Sequence, residues 1–218
     1  MPRAEIITIG TELLLGEIVD TNSRYLARTM RDEGVNLFYS ATVGDNEDRI
    51  AEAIRESMAR AEIIITTGGL GPTIDDPTRS AVAKAVGVET EFIPKLWDQI
   101  VNRFSRWGRT PTENNRRQAY IPAGSIPIEN PVGTAPCFIV ETDKHAIISL
   151  PGVPREMEHI LHNSILPYLR KRFDIKGMIK ARIIKTSGIG ESKIDSMIED
   201  LELLTNPTVG LAAHAGAV

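Results

Sequence analysis

Glu62-Ile63-Ile64-Ile65-Thr66-Thr67-Gly68-Gly69-Leu70-Gly71-Pro72-Thr73-Ile74-Asp75-Asp76-Pro77-Thr78 is the stretch whose reading decides the fold. Its continuous β-branched run suits a strand buried on both faces, and the strand runs straight into a glycine-rich loop. A helix over about residues 77–86 follows, because proline suits a first helical position. The sequence upstream has the same rhythm. Residues 5–10 read as a buried strand ended by glycine. Residues 22–33 read as a helix with Asp20, Thr21 or Asn22 as N-cap and Gly34 as its stop. Residues 35–43 form a second strand, and Asn46 or Asp48 opens a helix whose Ile50, Ala53, Ile54 and Met58 make an apolar stripe. Such βαβαβα alternation predicts a three-layer α/β/α domain on a mostly parallel sheet.

Downstream the pattern loosens. Residues 91–122 read as helical, with Leu96, Ile100, Val101, Phe104 and Trp107 on one side as core packing. Residues 122–136 are loop-rich, and residues 137–140 and 146–150 suggest an antiparallel pair turning at Asp143-Lys144. A long helix over residues 154–173 should be kinked or broken at Pro167. Gly177 marks the expected boundary between a main domain, residues 1–174, and a small α+β extension, residues 178–218. That extension reads as a strand over 179–186, a helix over 192–203 and a last apolar piece over 208–213, the start of a small domain too short for a full core.

Composition narrows the function classes. The 218 residues carry 25 Lys+Arg against 29 Asp+Glu, a net charge of −4, which argues against a dedicated nucleic-acid binder. The single cysteine, Cys137, excludes an internal disulfide framework and an all-cysteine zinc site, and its sequence neighbours supply no His or cation to activate it. The first apolar run is too brief for a signal peptide, and none approaches the ~20 residues of a membrane span. A cytoplasmic protein without membrane contact is expected.

Ligands of open parallel sheets bind beyond the carboxyl ends of the strands. That rule selects residues 10–17 with Asp20-Thr21-Asn22, residues 66–78, and residues 149–152. In the second loop, glycines let the backbone approach an anion closely, and the following helix aims its N-terminal amides at it. Asp75 and Asp76 beside a phosphate cradle suit a hard divalent cation bridging carboxylate and phosphate oxygens, or one of them caps the helix. Glu12 reads as a metal ligand, a general base or a solvated side chain. Asp20 and Asn22 read as caps or ligand contacts. Asn115, Arg116 and Arg117 read as a phosphate clamp or a solvated helix face. Residues 130–136 are an ordered binding loop or a rigid turn. His159 and His162 lack the spacing of a zincin and read as a helix-surface pair, and the basic residues between Lys176 and Lys193 read as a solvated strand or a weak partner surface. The glycine loop lacks the third glycine of the dinucleotide fingerprint, and no P-loop occurs.

Taken in order, Gly10-Thr-Glu-Leu-Leu-Leu-Gly-Glu with Asp20-Thr-Asn, Thr67-Gly-Gly-Leu-Gly-Pro-Thr with Asp75-Asp76-Pro-Thr, Asn130-Pro-Val-Gly-Thr-Ala-Pro and Leu150-Pro-Gly-Val-Pro-Arg-Glu-Met resemble the competence/damage-inducible protein A (CinA) family over roughly residues 3–173. The basic tail resembles the start of that family's small middle domain. The N-terminal domain of the family is similar to the molybdopterin-binding fold of molybdenum-cofactor biosynthesis proteins (MoaB/MogA-like), whose Thr-Gly-Gly-Thr-Gly loop and following Asp are matched by Thr67, Gly68, Gly69, Gly71 and Asp76, with Leu70 as a departure. The resemblance implies divalent-metal-dependent hydrolysis of ADP-ribose to AMP and ribose 5-phosphate, with a non-hydrolytic pterin- or nucleotide-binding module as the alternative. It implies Asp76, Asp75 and Glu12 as catalytic, with Asp76 and Asp75 on Mg2+ or Co2+ and K+ as a further candidate ion. Thr67, Gly68, Gly69, Leu70, Gly71, Thr11 and Asn22 would contact phosphate or nucleotide, as would Asn130, Gly133, Thr134, Pro151 and Gly152. Related domains associate as dimers or trimers, so a homo-oligomer is expected. Cys137 stands where the family pattern has glycine. The nicotinamide mononucleotide amidohydrolase domain lies further along in longer members, and its activity is not carried over to these residues.

Overall fold

The computed structural model describes residues 1–176, 180 and 182–212, and the chain divides into two compact units, Met1–Ile179 and Lys180–Val218. The first unit runs β1 (Arg3–Ile9), α1 (Thr11–Leu14), α2 (Thr21–Asp32), β2 (Asn36–Val43), α3 (Glu47–Met58), β3 (Ile63–Thr67), α4 (Thr78–Val86), β4 (Thr90–Phe92), α5 (Pro94–Arg106), α6 (Glu113–Arg116), β5 (Tyr120–Pro122), β6 (Ile126–Ile128), β7 (Cys137–Glu141), β8 (Ala146–Leu150), α7 (Pro154–Ile160) and α8 (Leu166–Arg172). The helices start where the sequence places caps: Asp20 accepts from the Ser23 amide and Asn46 from the Arg49 amide.

Six strands form one sheet in the order β2-β1-β3-β8-β7-β6. β2, β1, β3 and β8 are parallel, while β7 runs antiparallel to both β8 and β6. β2 and β3 flank β1 on opposite sides, so right-handed crossovers put α2 and α3 on opposite faces. α3 then packs on α4, and α2 on α7. Double coverage is why Ile63, Ile64 and Ile65 are all fully buried, as the unbroken apolar run of β3 requires.

Two expectations are corrected in this unit, and the expected break at Pro167 is found. Residues 91–122 are not helix throughout: β4 and β5 pair antiparallel across them. Those strands are three residues each, too short to leave a period-two pattern. Trp107 is 51% exposed rather than core, its ring tilted against Phe104 with the Arg103 guanidinium over it. The helix expected over 154–173 is α7, one π turn at Leu161–Ile165, then α8 with Pro167 as its second residue. Proline has no N–H for the carbonyl four residues back and crowds it, so the helix widens there.

In the second unit, α9 (Glu191–Glu202) matches the expected helix. Described residues 182–187 and 208–212 form no strand, contrary to expectation. Gly177, Ile179, Ala181, Ala213 and His214, on which the boundary, parts of both expected strands and the last histidine fall, lie outside the described residues.

Candidate functional site

β1, β3 and β8 are adjacent and parallel, so the loops after them gather at one edge. Asn22, 7% exposed at the start of α2, ties all three together. Its Nδ2 donates to Thr67 Oγ1 at 3.0 Å and to the Gly152 carbonyl at 2.8 Å. Thr67 Oγ1 in turn donates to the Pro151 carbonyl at 2.9 Å. Thr67 Oγ1 and the Pro151 carbonyl, both expected at the ligand, are thus engaged as joints of the edge. Gly152 remains at the exposed surface with its carbonyl engaged. The carbonyl of Gly152 forces the assignment of Nδ2, since only a donor can face it, and this leaves Asn22 Oδ1 buried without a partner. An unpaired acceptor repels phosphate oxygens. Asn22 Oδ1 thus offers its free valence to an N–H or O–H group rather than to an ionised phosphate oxygen.

The glycine loop has a different economy. Gly68 (φ +107°) and Gly69 (φ +64°) adopt positive φ, and a Cβ on Gly68 would overlap the Ile9 carbonyl oxygen, so only glycine fits. Four successive carbonyls of the loop are drawn back. Thr78 Oγ1 donates to Gly68 O at 2.8 Å and Thr78 N to Gly69 O at 3.2 Å. The Arg79 guanidinium donates to Leu70 O at 2.8 Å and Gly71 O at 2.7 Å, and Gln118 Nε2 adds a second bond to Leu70 O at 3.3 Å. Among the amides, Gly68 N donates to Leu150 O and Gly71 N to Asp76 Oδ1. The Gly69 and Leu70 amides donate no hydrogen bond within the described residues. Two unengaged amides of a glycine loop are the donor set that an anion cradle uses, although Leu70 as a whole is only 2% exposed. Arg79 is 6% exposed, and burial pushes its pKa down to about 10 although Asp76 pulls the other way. The charge stays on at neutral pH and sits beneath the cradle.

Asp76 is held inside this loop. Its Oδ1 accepts from Gly71 N, and its Oδ2 from Thr73 N at 2.8 Å and Thr73 Oγ1 at 2.6 Å. The helix start that Asp75 or Asp76 was expected to cap has no side-chain cap. Asp75 is exposed with no bonded partner, and so is Glu12 on α1. Among the described residues no three His, Cys, Asp or Glu side chains converge on a common point. Mg2+ is commonly held by one or two carboxylates together with substrate phosphates. Asp75 beside the cradle fits an ion shared with a phosphate; a resident ion caged by the chain alone does not fit. Thr11 closes the edge on the β2 side: its amide donates to Asp45 Oδ2 at 2.7 Å and its Oγ1 accepts from Asp45 N.

The Asn130 loop turns inward. Asn130 is fully buried; its Oδ1 accepts from Val132 and Gly133 amides and its Nδ2 donates to Ala135 O and Glu156 Oε2. The polar groups of Asn130 and the Gly133 amide, expected at the ligand, shape the turn instead, and a Cβ at Gly133 would strike the Glu156 carboxylate. Thr134 beside them is half-buried. Cys137 opens β7 fully buried, and burial, reinforced by Glu156, raises its thiol well above the usual range, so it is no nucleophile. Asn115 joins Thr112 in a capping box and passes a bond on to Gln118, Arg116 lies over the Phe92 ring, and Arg117 is exposed. His162 accepts or donates to the Tyr25 hydroxyl on the surface.

Arg79, Gln118 and Asp45 are the site residues that sequence reading missed, and Thr78 stood at the end of the selected loop without a role. One signal was available: an arginine in the first turn of a helix opposes the helix dipole and needs another reason to be there. No helix among the described residues is long and apolar enough to cross a membrane.

Residues 5–171 match the family described as "Probable molybdopterin binding domain", and residues 181–218 match "Damage-inducible protein CinA KH domain". A putative competence-damage inducible protein of Halothermothrix orenii is 46% identical over 215 residues, covering 99% of this chain and 52% of that protein. One from Thermoanaerobacter pseudethanolicus is 42% identical over 216 residues with the same coverage. The chain spans about half the length of these curated relatives. Among solved structures, the protein CinA of Thermoplasma acidophilum superposes with a TM-score of 0.70 at 33% identity, over 78% of this chain and 97% of that one. The molybdopterin biosynthesis enzyme MoaB of Thermus thermophilus gives 0.53 at 20% identity over 83% and 100%, a likeness of fold alone. On its glycine loop, its sheet order and these relatives together, the chain belongs to the CinA family and carries that family's molybdopterin-binding-type domain.

Proposed function

We propose that the carboxyl edge binds the pyrophosphate of ADP-ribose or a related nucleotide and hydrolyses it to AMP and the sugar phosphate. The observation that carries the binding half is the pair of unengaged amides at Gly69 and Leu70, with the carbonyls of the same loop turned away. Asn22 Oδ1 supports a ligand that brings a hydroxyl or amine beside its phosphates, as a nucleotide or pterin does. In the hydrolytic reading the loop amides hold the phosphate oxygens and stabilise charge developing on them. A water oxygen attacks one phosphorus, the bridging P–O bond breaks with its electrons going to the leaving phosphate, and the water's proton passes to Glu12, the exposed carboxylate on the adjoining loop. A divalent ion, held by Asp75 and the ligand's phosphates, supplies Lewis-acid charge neutralisation.

Asp76, occupied within its loop, favours the second reading, a module that binds a phosphorylated pterin or nucleotide without cleaving it. The test is AMP release from ADP-ribose with Mg2+, Co2+ or EDTA, using wild type and Asp75→Asn. Metal-dependent release that falls about a hundredfold or more in Asp75→Asn, with unchanged thermal unfolding, supports hydrolysis. ADP-ribose binding without release leaves the binding module; neither binding nor release overturns both readings.

A further inference from the structure

Thr78 and Arg79 are consecutive residues in the first turn of α4, both buried, and neither side chain is free to touch a ligand. Between them they hold the four carbonyls from Gly68 to Gly71. A trans peptide is planar, so its N–H points opposite its C=O. The peptide that ends in the Gly69 amide has Gly68 O as its carbonyl, and the peptide that ends in the Leu70 amide has Gly69 O. Both of those oxygens are bonded to Thr78, one through Oγ1 and one through N. Anchoring them on α4 turns the Gly69 and Leu70 amides to the other side. Gly69 has no Cβ to interfere: one added there would overlap Thr78 Oγ1.

Arg79 fixes the next two carbonyls with one planar fork. Its partners are neutral oxygens, and among the described residues it makes no ion pair. Asp76 is the one carboxylate acting on this buried cation, short of an ion pair, and a bound anion above the loop adds to that compensation.

We propose that Thr78 and Arg79 are positioning residues that aim the Gly69 and Leu70 amides at an anionic ligand, Thr78 by orienting the two peptides and Arg79 by anchoring the loop beyond them with a charge of the required sign. The proposal rests on the phosphate-binding reading of the cradle and assigns its specificity for anions to residues that never contact the ligand. A merely structural role for the pair would lower stability without altering which amides respond to ligand.

The experiment is an amide NMR titration with inorganic pyrophosphate on wild type, Thr78→Val, Thr78→Ser and Arg79→Lys. In the wild type the Gly69 and Leu70 amides should move most. Thr78→Val, of the same shape but without the hydroxyl, frees only the Gly68 carbonyl. It should weaken pyrophosphate binding by about tenfold and lose the Gly69 shift. The Leu70 shift should survive because Thr78 N still holds Gly69 O, while Thr78→Ser stays within about threefold. Arg79→Lys keeps the charge but not the fork, and should weaken binding by about threefold to tenfold. Wild-type affinity and wild-type shifts in folded Thr78→Val overturn the aiming role. Should Thr78→Val not fold, unchanged affinity in Arg79→Lys overturns the clamp. If pyrophosphate and ADP-ribose fail to bind the wild type, or bind without moving Gly69 and Leu70, the cradle reading itself fails.

Discussion

The loop after β3 and the Asn130 loop look alike as sequence: each is short, carries glycine and proline, and stands in a motif expected to touch a ligand. They differ in where their polar groups point. In the first, an adjoining helix withdraws the carbonyls and leaves two amides unengaged. In the second, one buried side chain, Asn130, gathers amides, a carbonyl and a carboxylate to itself and leaves its own groups none to offer. The lesson is that a glycine-rich loop becomes a binding loop only when something else satisfies half of its backbone. Without that, the loop's hydrogen bonds close on themselves and it serves as a spacer.

Three substitutions press on that contrast. The largest effect belongs to Gly68→Ala, where the new Cβ meets the backbone carbonyl of Ile9 rather than a movable side chain. Stability should fall by about 3 kcal/mol, with ADP-ribose affinity reduced about a hundredfold in whatever remains folded. Urea unfolding and calorimetric titration measure both. Near-normal affinity would mean that this loop, too, is a spacer.

Asn130→Ala comes next. Truncating a buried hub that bonds Val132, Gly133, Ala135 and Glu156 should lower stability by about 2–4 kcal/mol. Affinity for ADP-ribose should stay within about twofold, because the cradle amides are untouched. A loss of affinity as deep as that of Gly68→Ala would erase the distinction between the loops.

The smallest effect is expected at Cys137, at the end of the same inward-turned loop. Cys137→Gly, which restores the family's pattern, should cost about 1 kcal/mol by opening space in the core and should leave affinity unchanged. Burial raises the thiol's pKa in the folded state, so the native protein keeps a proton that the unfolded chain releases above a pH of about 8.5. The thiol's contribution is therefore whole below that pH and declines as pH rises through the alkaline range. Wild type should lose stability with pH there more steeply than the glycine variant. Parallel slopes in the two proteins would contradict the assignment.

The Asp75-Asp76 pair repeats the contrast within two residues. Adjacent carboxylates look interchangeable in sequence, yet Asp76 accepts three hydrogen bonds from its own loop while Asp75 stands in solvent. Trp107 is a further case: its place in a helical stripe suggested core, but the stripe ends one turn earlier, at Ile100 and the half-buried Phe104.

Much of the fold was written in the sequence because it follows from local periodicity. Unbroken apolar strands dictated burial on both faces, caps at Asp20 and Asn46 fixed helix starts, and Pro167 dictated the break between α7 and α8. Even the edge proposed to bind the ligand followed from strand and helix alternation. Tertiary structure alone decided which groups on that edge are free. Thr67, Asn130 and Asp76 carry the chemistry of ligand contacts, but partners from 2 to 84 positions away already satisfy them. Hydrogen-bond saturation is a property of neighbours in space. A sequence names the donors and acceptors; only the fold settles which of them remain unpaired.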